Sequence, residues 1–297
     1  MTDKRNKEFI RRHIGPSSDE QKKMLSYLGY DSLDEFIKKI VPEKILETTS
    51  LKINPPISEH DALQQIKQMA NQNKVFKSFI GMGYYGTYTP NVILRNILEN
   101  PGWYTSYTPY QPEVAQGRLE MLLNFQQMVT DLTGMDIANA SLLDEGTAAA
   151  EAVALCQRLD KNKLNKIFIS KNCNPQTIDV VKTRAEPFNL EVIIGDDKKI
   201  QTLEGEILCA LYQYPNTYGE IMGAEEFIKA AQNKNGKAIL VTDLLALTAI
   251  KPPGEMGADI VVGNSQRFGV PMGYGGPHAA FFATKDEFKR AMTGRLI

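Results

Sequence analysis

The sequence predicts an α/β protein in which a mostly parallel β-sheet is flanked by helices and preceded by an N-terminal helical arm. Three observations lead to this prediction. Helical patterns follow one another without strands up to about residue 75, and beyond it helical patterns such as 176–185 and 225–231 alternate with short apolar runs. Each run has about the length of a buried strand: 166–170, 191–195, 207–212, 238–242, 259–263 and 279–283.

Serine-based capping patterns mark the helices of the arm. They are Ser17/Glu20, Ser32/Glu35 and Ser58/Asp61, and we expect the first two to be capping boxes. We assign residues 1–74 to the helical arm and 75–297 to the α/β domain. The first long helix of that domain is expected at 118–132, with Gly134 as its stop signal.

The composition excludes several classes of protein. The 34 basic and 35 acidic side chains leave a net charge of -1, whereas nucleic-acid binders normally carry a basic excess. No apolar run approaches the roughly 18 residues that cross a bilayer, and the N-terminus lacks the apolar stretch of a secretory signal. The three cysteines include no CxxC pair, which favours a reducing, cytoplasmic location. The three histidines are too widely spaced for a compact metal motif.

Candidate ligand-binding residues follow two of the predicted strands. Ligands of parallel sheets bind beyond the carboxyl ends of the strands. Asp243 follows the run 238–242, and the segment 264–269, which includes Ser265 and Gln266, follows the run 259–263. A carboxylate at such a point pairs with a cationic ring nitrogen or a metal, although an isolated aspartate there is more often a helix cap.

The segment 143–152 has two interpretations. Gly146 and Thr147, followed by small helix formers, could offer free backbone N–H groups to a phosphate at a helix N-terminus. The alternative is an ordinary N-cap by Asp144 or Thr147. The carboxylates of Asp144 and Glu145 favour the cap, because they would repel a phosphate.

Three segments rich in glycine or tyrosine predict loops. The glycine-rich loop, 268–278, either shapes a ligand or partner site or simply turns into the strand at 279. The tyrosine loop, 81–90, and the second tyrosine loop, 103–113, both precede predicted helices. Tyrosines are common in pocket walls and interfaces, so these loops either serve such a site or pack on their own domain.

Several longer motifs carry a resemblance to a known family. They are 8–16, 79–90, 107–113 with 116–120, 141–152, 265–278 and 290–295. They resemble the N-terminal half of the glycine cleavage system P-protein, glycine dehydrogenase (decarboxylating), over essentially the whole chain. In many bacteria this half is a separate subunit. The resemblance implies the large domain of a fold-type I pyridoxal phosphate (PLP) enzyme and a natural chain that continues beyond residue 297 into a small domain.

The resemblance also implies an activity for the family, and this sequence lacks one residue that the activity requires. The family decarboxylates glycine on PLP held by a lysine and passes the aminomethyl group to the lipoyl arm of the H-protein. Where the catalytic half has a His-Lys pair, this sequence has Ser265 and Gln266, and no lysine occurs between Lys251 and Lys285. The resemblance therefore implies a cofactor-free copy of the fold, inactive alone, whose partner is a homologous subunit 2 that binds PLP.

Site roles follow from the same resemblance. The vestigial cofactor positions are Gly146, Thr147, Asp243, Ser265 and Gln266. Residues expected to reach the partner's active site are Tyr84, Tyr85, Tyr107, Tyr110, Gln111 and Glu113. No catalytic residue and no metal is assigned to this chain, and no nucleic acid or membrane is expected to bind. The alternatives are a stand-alone PLP-dependent aminotransferase or decarboxylase, and a scaffold that assembles the complex without touching substrate.

Overall fold

The computed structural model describes residues 12–13, 15–221, 223–276 and 278–297. The chain divides into two compact units, Met1–Lys77 and Ser78–Ile297. Most of the motif 8–16 lies outside the described residues, as does Pro277 of the glycine-rich loop.

The first unit is helical, as its capping patterns predict. Its helices are α1 (Ser18–Leu28), α2 (Leu33–Ile40) and α3 (Glu59–Asn71), with a 3₁₀ turn at Glu43–Ile45. Ser17 forms the complete capping box with Glu20, whose carboxylate accepts the Ser17 backbone N–H at 2.7 Å. The second box is only half formed, because the Glu35 carboxylate accepts the N–H of Asp31 rather than that of the cap residue.

The second unit is a seven-stranded sheet with helices on both faces. The strands are β1 (Ile137–Ala138), β2 (Lys166–Ser170), β3 (Glu191–Gly195), β4 (Cys209–Tyr214), β5 (Lys237–Asp243), β6 (Ile260–Asn264) and β7 (Ala280–Thr284). The main helices are α4 (Pro112–Thr133), α5 (Glu145–Leu159), α6 (Pro175–Ala185) and α7 (Ala224–Gln232). Shorter helical segments are Asn91–Ile93, the π-helix Leu94–Leu98, Glu186–Phe188, Lys199–Thr202, Ala246–Thr248, Gln266–Phe268 and Asp286–Ala291.

The sheet is mostly parallel, as predicted. Its order is β1-β7-β6-β5-β4-β2-β3, in which β7 runs antiparallel to both of its neighbours. All six predicted strands are present within one or two residues of their expected ends, and the two-residue β1 was not predicted. The helix expected at 118–132 begins earlier, at Pro112, since proline suits the first turn, and it is interrupted at the non-helical Ala115.

The central strands β2, β4, β5 and β6 are buried on both faces, whereas no residue of the edge strand β3 is fully buried. Phe168 packs into the cluster that includes α7 residues, whereas its neighbours Ile167 and Ile169 pack into the cluster built on α5 and α6. Successive side chains of a strand point to opposite faces, so this alternation places α5 and α6 on one face and α7 on the other. Among the described residues, no helix is long and apolar enough to cross a membrane.

The topology gathers several chain segments at one edge of the sheet. The carboxyl ends of β2, β4, β5 and β6 share this edge because these strands are parallel. The antiparallel β7 starts there, since Ala280 pairs with Asn264, and a bridge from Ala280 to Leu142 brings in the N-terminus of α5. The residues that follow β2, β4, β5 and β6 therefore lie at the same edge of the sheet as the glycine-rich loop, which leads into β7.

A polar site at the carboxyl ends of the strands

Asp243 ends β5 at this edge and is paired with an arginine of the same chain. Its Oδ2 lies 2.5 Å from Nε of Arg267, and its Oδ1 accepts the backbone N–H of Leu245 at 3.0 Å. Burial raises the pKa of the Asp243 carboxyl, and the positive charge of Arg267 opposes that rise. The Arg267 guanidinium also lies over the ring of Tyr85, 5.2 Å from its centroid. The sequence predicts Asp243 as the partner of a cationic ring nitrogen or a metal. In the structure Asp243 pairs instead with a cation of its own chain, Arg267.

Gln266 follows β6 and is completely buried. Its Nε2 donates to two loop carbonyls, that of Tyr85 at 3.0 Å and that of Val270 at 3.2 Å. Its Oε1 has no hydrogen-bond partner among the described residues. Ser265, beside it, binds the backbone carbonyl of Ala279 through both its N–H and its hydroxyl, so it fastens the glycine-rich loop where β7 approaches.

A second buried carboxylate, Glu145, lies at the start of α5. It is 4% exposed and accepts three side-chain hydrogen bonds. Asn174 and Thr177 donate to Oε1 at 2.9 and 3.1 Å, and Asn264 donates to Oε2 at 2.7 Å. Burial raises the pKa of Glu145, while these hydrogen bonds and the nearby His278 oppose the rise. The sequence analysis treated Glu145 only as an obstacle to phosphate binding. In the structure its carboxyl group is the centre of a hydrogen-bond network that joins α5, α6 and β6.

The N-terminus of α5 is capped by its own chain. Asp144 accepts the backbone N–H of Thr147 at 2.7 Å, which is the capping interpretation of segment 143–152. Gly146 allows α5 to approach α6 closely, because a Cβ at this glycine would lie 3.1 Å from a methyl group of Val180. Gly146 and Thr147, the two residues that the phosphate interpretation needs, thus both have structural contacts within the chain.

The tyrosine loop lies against this polar site. The ring of Tyr84 stacks on that of His278, with centroids 4.8 Å apart. Nε2 of His278 is 3.0 Å from the carbonyl of Gly83, and Gln176 donates to the carbonyl of Met82 at 2.6 Å. The structure therefore brings Tyr84 and Tyr85 together with Asp243 and Gln266.

The second tyrosine loop has a separate set of contacts. The Tyr107 hydroxyl donates to Gln111 at 3.3 Å, and the Tyr107 carbonyl accepts from Arg118. The Arg295 guanidinium lies over the Tyr110 ring, 4.7 Å from its centroid. Glu113 is exposed in the first turn of α4. None of the hydrogen bonds or ring contacts of the described residues joins this loop to Gln266 or Asp243.

Sequence reasoning missed several residues that build the site. Asn174 was within its reach, since it lies shortly after the carboxyl end of β2, where ligand-binding side chains were sought. Asn264 opens the segment 264–269 that was singled out, but its hydrogen bond to Glu145 was not predicted. Gln176 was not within reach, because its contact with the tyrosine loop spans 94 residues of sequence. His278 lies in the predicted glycine-rich loop, but its contact with Gly83, 195 residues away in sequence, was not predicted. Among the described residues, no group of histidine, cysteine and carboxylate side chains could hold a metal ion.

The fold defines the class of protein. It is the large-domain fold of the fold-type I PLP-dependent enzymes. A solved structure of sphingosine-1-phosphate lyase from Burkholderia pseudomallei matches with a TM-score of 0.60 at 13% identity, over 82% of this chain and 63% of that one, which shows the fold alone. An inhibitor-bound glycine decarboxylase (P-protein) of the glycine cleavage system matches with a TM-score of 0.85 and 33% identity, over 96% of this chain and 65% of that chain.

The sequence places the chain more narrowly. The model of the glycine cleavage system P-protein family matches residues 11–297, and the chain belongs to that family. It is 66% identical over 291 residues to glycine dehydrogenase (decarboxylating) of Pelagibacter ubique, covering 98% of this chain. It is 55% identical over 291 residues to the mitochondrial glycine dehydrogenase (decarboxylating) of Pisum sativum. The chain spans 30% and 28% of the lengths of these two relatives.

Proposed function

We propose that this chain is the half of a glycine dehydrogenase (decarboxylating) that does not carry PLP, and that it completes the active site of a homologous PLP-bearing half. The observation that carries the proposal is the buried Gln266, which by the family resemblance occupies the position of the catalytic half's lysine. A glutamine amide cannot form the covalent link to PLP that a lysine amine forms.

The surrounding residues support the same proposal, because they do not fit PLP. Asp243, at the place of the ring-nitrogen partner, already pairs with Arg267. Glu145, next to the phosphate position proposed at Gly146 and Thr147, is a buried carboxyl group whose two oxygens already accept three hydrogen bonds from the same chain. The free N–H groups that a phosphate would need at α5 include that of Thr147, which Asp144 occupies.

The tyrosine loops are the proposed contribution to the active site. Tyr85 and Tyr107 are about two-fifths exposed, and Tyr110 is 71% exposed, although each has an ordered contact with its own chain. Large aromatic side chains that are held in place yet exposed are typical of surfaces buried by a partner. In the complete enzyme PLP supplies the electron sink for glycine decarboxylation, and these loops would shape the entry of glycine and of the lipoyl group of H-protein.

The homologous half belongs either to a separate subunit, as the sequence resemblance implies, or to the same polypeptide. The curated relatives are more than three times as long as the segment matched here, so their remaining length has room for such a half. The proposed partners are the PLP-bearing half, glycine and lipoylated H-protein, in the cytoplasm. The active-site role of the loops is the same in both arrangements.

Conservative variants of the tyrosine loops test the proposal. In the complete enzyme, Tyr84→Phe, Tyr85→Phe and Glu113→Gln each remove one polar group and keep the shape of the side chain. We expect at least one of them to lower kcat/KM for glycine decarboxylation about tenfold or more, since a polar contact made in the transition state is lost. Unchanged kinetics in all three, with normal assembly, would contradict the proposal and favour a scaffold.

A further inference from the structure

The tyrosine loop does not hold its shape through its own backbone preferences. Gly81, Met82 and Gly83 have φ values of 63°, 53° and 88°, and positive φ is unfavourable for a methionine. The loop contributes one short internal bridge, between Gly81 and Tyr84. Such a segment persists only where its surroundings determine it.

Those surroundings are three side chains at the edge of the sheet, one of which, Gln266, is a proposed vestigial cofactor position. Gln176, His278 and Gln266 contact three carbonyls of the loop, those of Met82, Gly83 and Tyr85. The three contact distances are 2.6, 3.0 and 3.0 Å. Backbone carbonyls carry no side-chain specificity, so these contacts define the path of the loop rather than the identity of its residues.

The far end of the loop is fastened by its own side chains. The hydroxyls of Thr87 and Thr89 donate to the carbonyls of Val270 and Gly269, at 2.9 and 2.6 Å. Gly269 has a φ of 121°, and a Cβ there would lie 3.0 Å from the carbonyl oxygen of Tyr88. The glycine permits the close approach of the two loops that these bonds require.

Gln266 connects the two groups of contacts. Its one amide nitrogen donates to Tyr85 of the tyrosine loop and to Val270 of the glycine-rich loop. Its buried Oε1 lacks a partner among the described residues, which is unfavourable for folding. An apolar side chain would fill this space without that penalty, so the two donated bonds give the physical reason for an amide here.

We infer that the side chains around Gln266, at the carboxyl ends of the strands, form a clamp on the tyrosine loop, in which Gln266 is a positioning residue. The clamp consists of the five loop contacts of Gln176, His278, Gln266, Thr87 and Thr89. It holds Tyr84 on the His278 ring and Tyr85 beside Arg267, in the arrangement presented to the homologous half. This inference rests on the proposed function, because the reason to hold the loop is the neighbouring active site.

The threonine pair offers a matched test in the complete enzyme. The double variant Thr87→Val, Thr89→Val removes both hydroxyl donors at nearly constant volume, and Thr87→Ser, Thr89→Ser keeps the donors. Both threonines are only half-buried, so neither change disturbs the core. We expect backbone amides of residues 82–89 to exchange with deuterium about tenfold faster or more in the valine variant, with wild-type exchange in the serine variant. Gln266→Met should produce the same local loosening.

Kinetics connect the clamp to the active site. The valine variant should lose several-fold in kcat/KM for glycine, and the serine variant should recover it. In a Tyr84→Phe, Tyr85→Phe background the valine changes should have little further effect, because the clamp acts through these tyrosines. Unchanged exchange over 82–89 in both the valine and the Gln266→Met variants would overturn the clamp. Faster exchange with unchanged kinetics would support the clamp and contradict the proposed function.

Discussion

At the scale of single residues, three side chains decide how the site is interpreted. Under the proposed function, Gln266 replaces the lysine that would hold PLP, Arg267 pairs with Asp243, and Glu145 places a buried carboxyl group next to the proposed phosphate position. Glu145 is the least expected of them, because a carboxylate buried to 4% exposure is rare without a cation or several donors. Its three amide and hydroxyl donors account for its presence.

The raised pKa of Glu145 predicts a pH effect on stability. The folded protein binds this proton more tightly than the unfolded chain does, so the group's stabilising contribution is complete below the ordinary carboxyl pKa. It is lost as pH rises through the folded-state pKa. Wild-type unfolding free energy should therefore fall with pH relative to that of Glu145→Gln, by at most about 1.4 kcal/mol per pH unit. Denaturant titrations of both proteins at several pH values measure this difference, and a difference that rises with pH would contradict the assignment.

At the scale of elements, the sequence predicted most of the scaffold and part of the site. The strands were recognisable because apolar runs such as 238–242 are buried on both faces, and Gly134 ended α4 in the left-handed conformation that glycine favours. The sequence analysis singled out Asp243, Ser265 and Gln266 because they closely follow predicted strands. Their contacts with Tyr85 and Ala279 depend on tertiary packing, which local patterns do not contain.

The cap of α5 gives a prediction at this scale. Asp144→Ala removes the side-chain acceptor of the Thr147 N–H, while Asp144→Asn keeps an acceptor at the same place. We expect the alanine variant to lower the free energy of unfolding by about 1 kcal/mol and the asparagine variant to lower it by much less. Equal losses in the two variants, measured by denaturant unfolding, would show that the capping bond is not what Asp144 contributes.

At the scale of the whole molecule, the second unit exposes more aromatic and apolar surface than its fold requires. Tyr88, Val114 and Tyr110 are 97%, 72% and 71% exposed, all within or next to the two tyrosine loops. Large aromatic and apolar side chains that are this exposed within two loops are typical of a surface that a partner covers. The proposed partner is the homologous PLP-bearing half. The two loops would be buried against that half and would complete its active site.

The central claim, that this chain does not carry PLP, is tested most directly by locating the cofactor. Borohydride reduction of the complete enzyme fixes PLP to the lysine that holds it, and peptide mapping then identifies that lysine. We expect one labelled lysine per active site, within the homologous half and outside residues 1–297. Stoichiometric labelling of a lysine of this chain, such as Lys251 or Lys285 on either side of Gln266 in the sequence, would contradict the account.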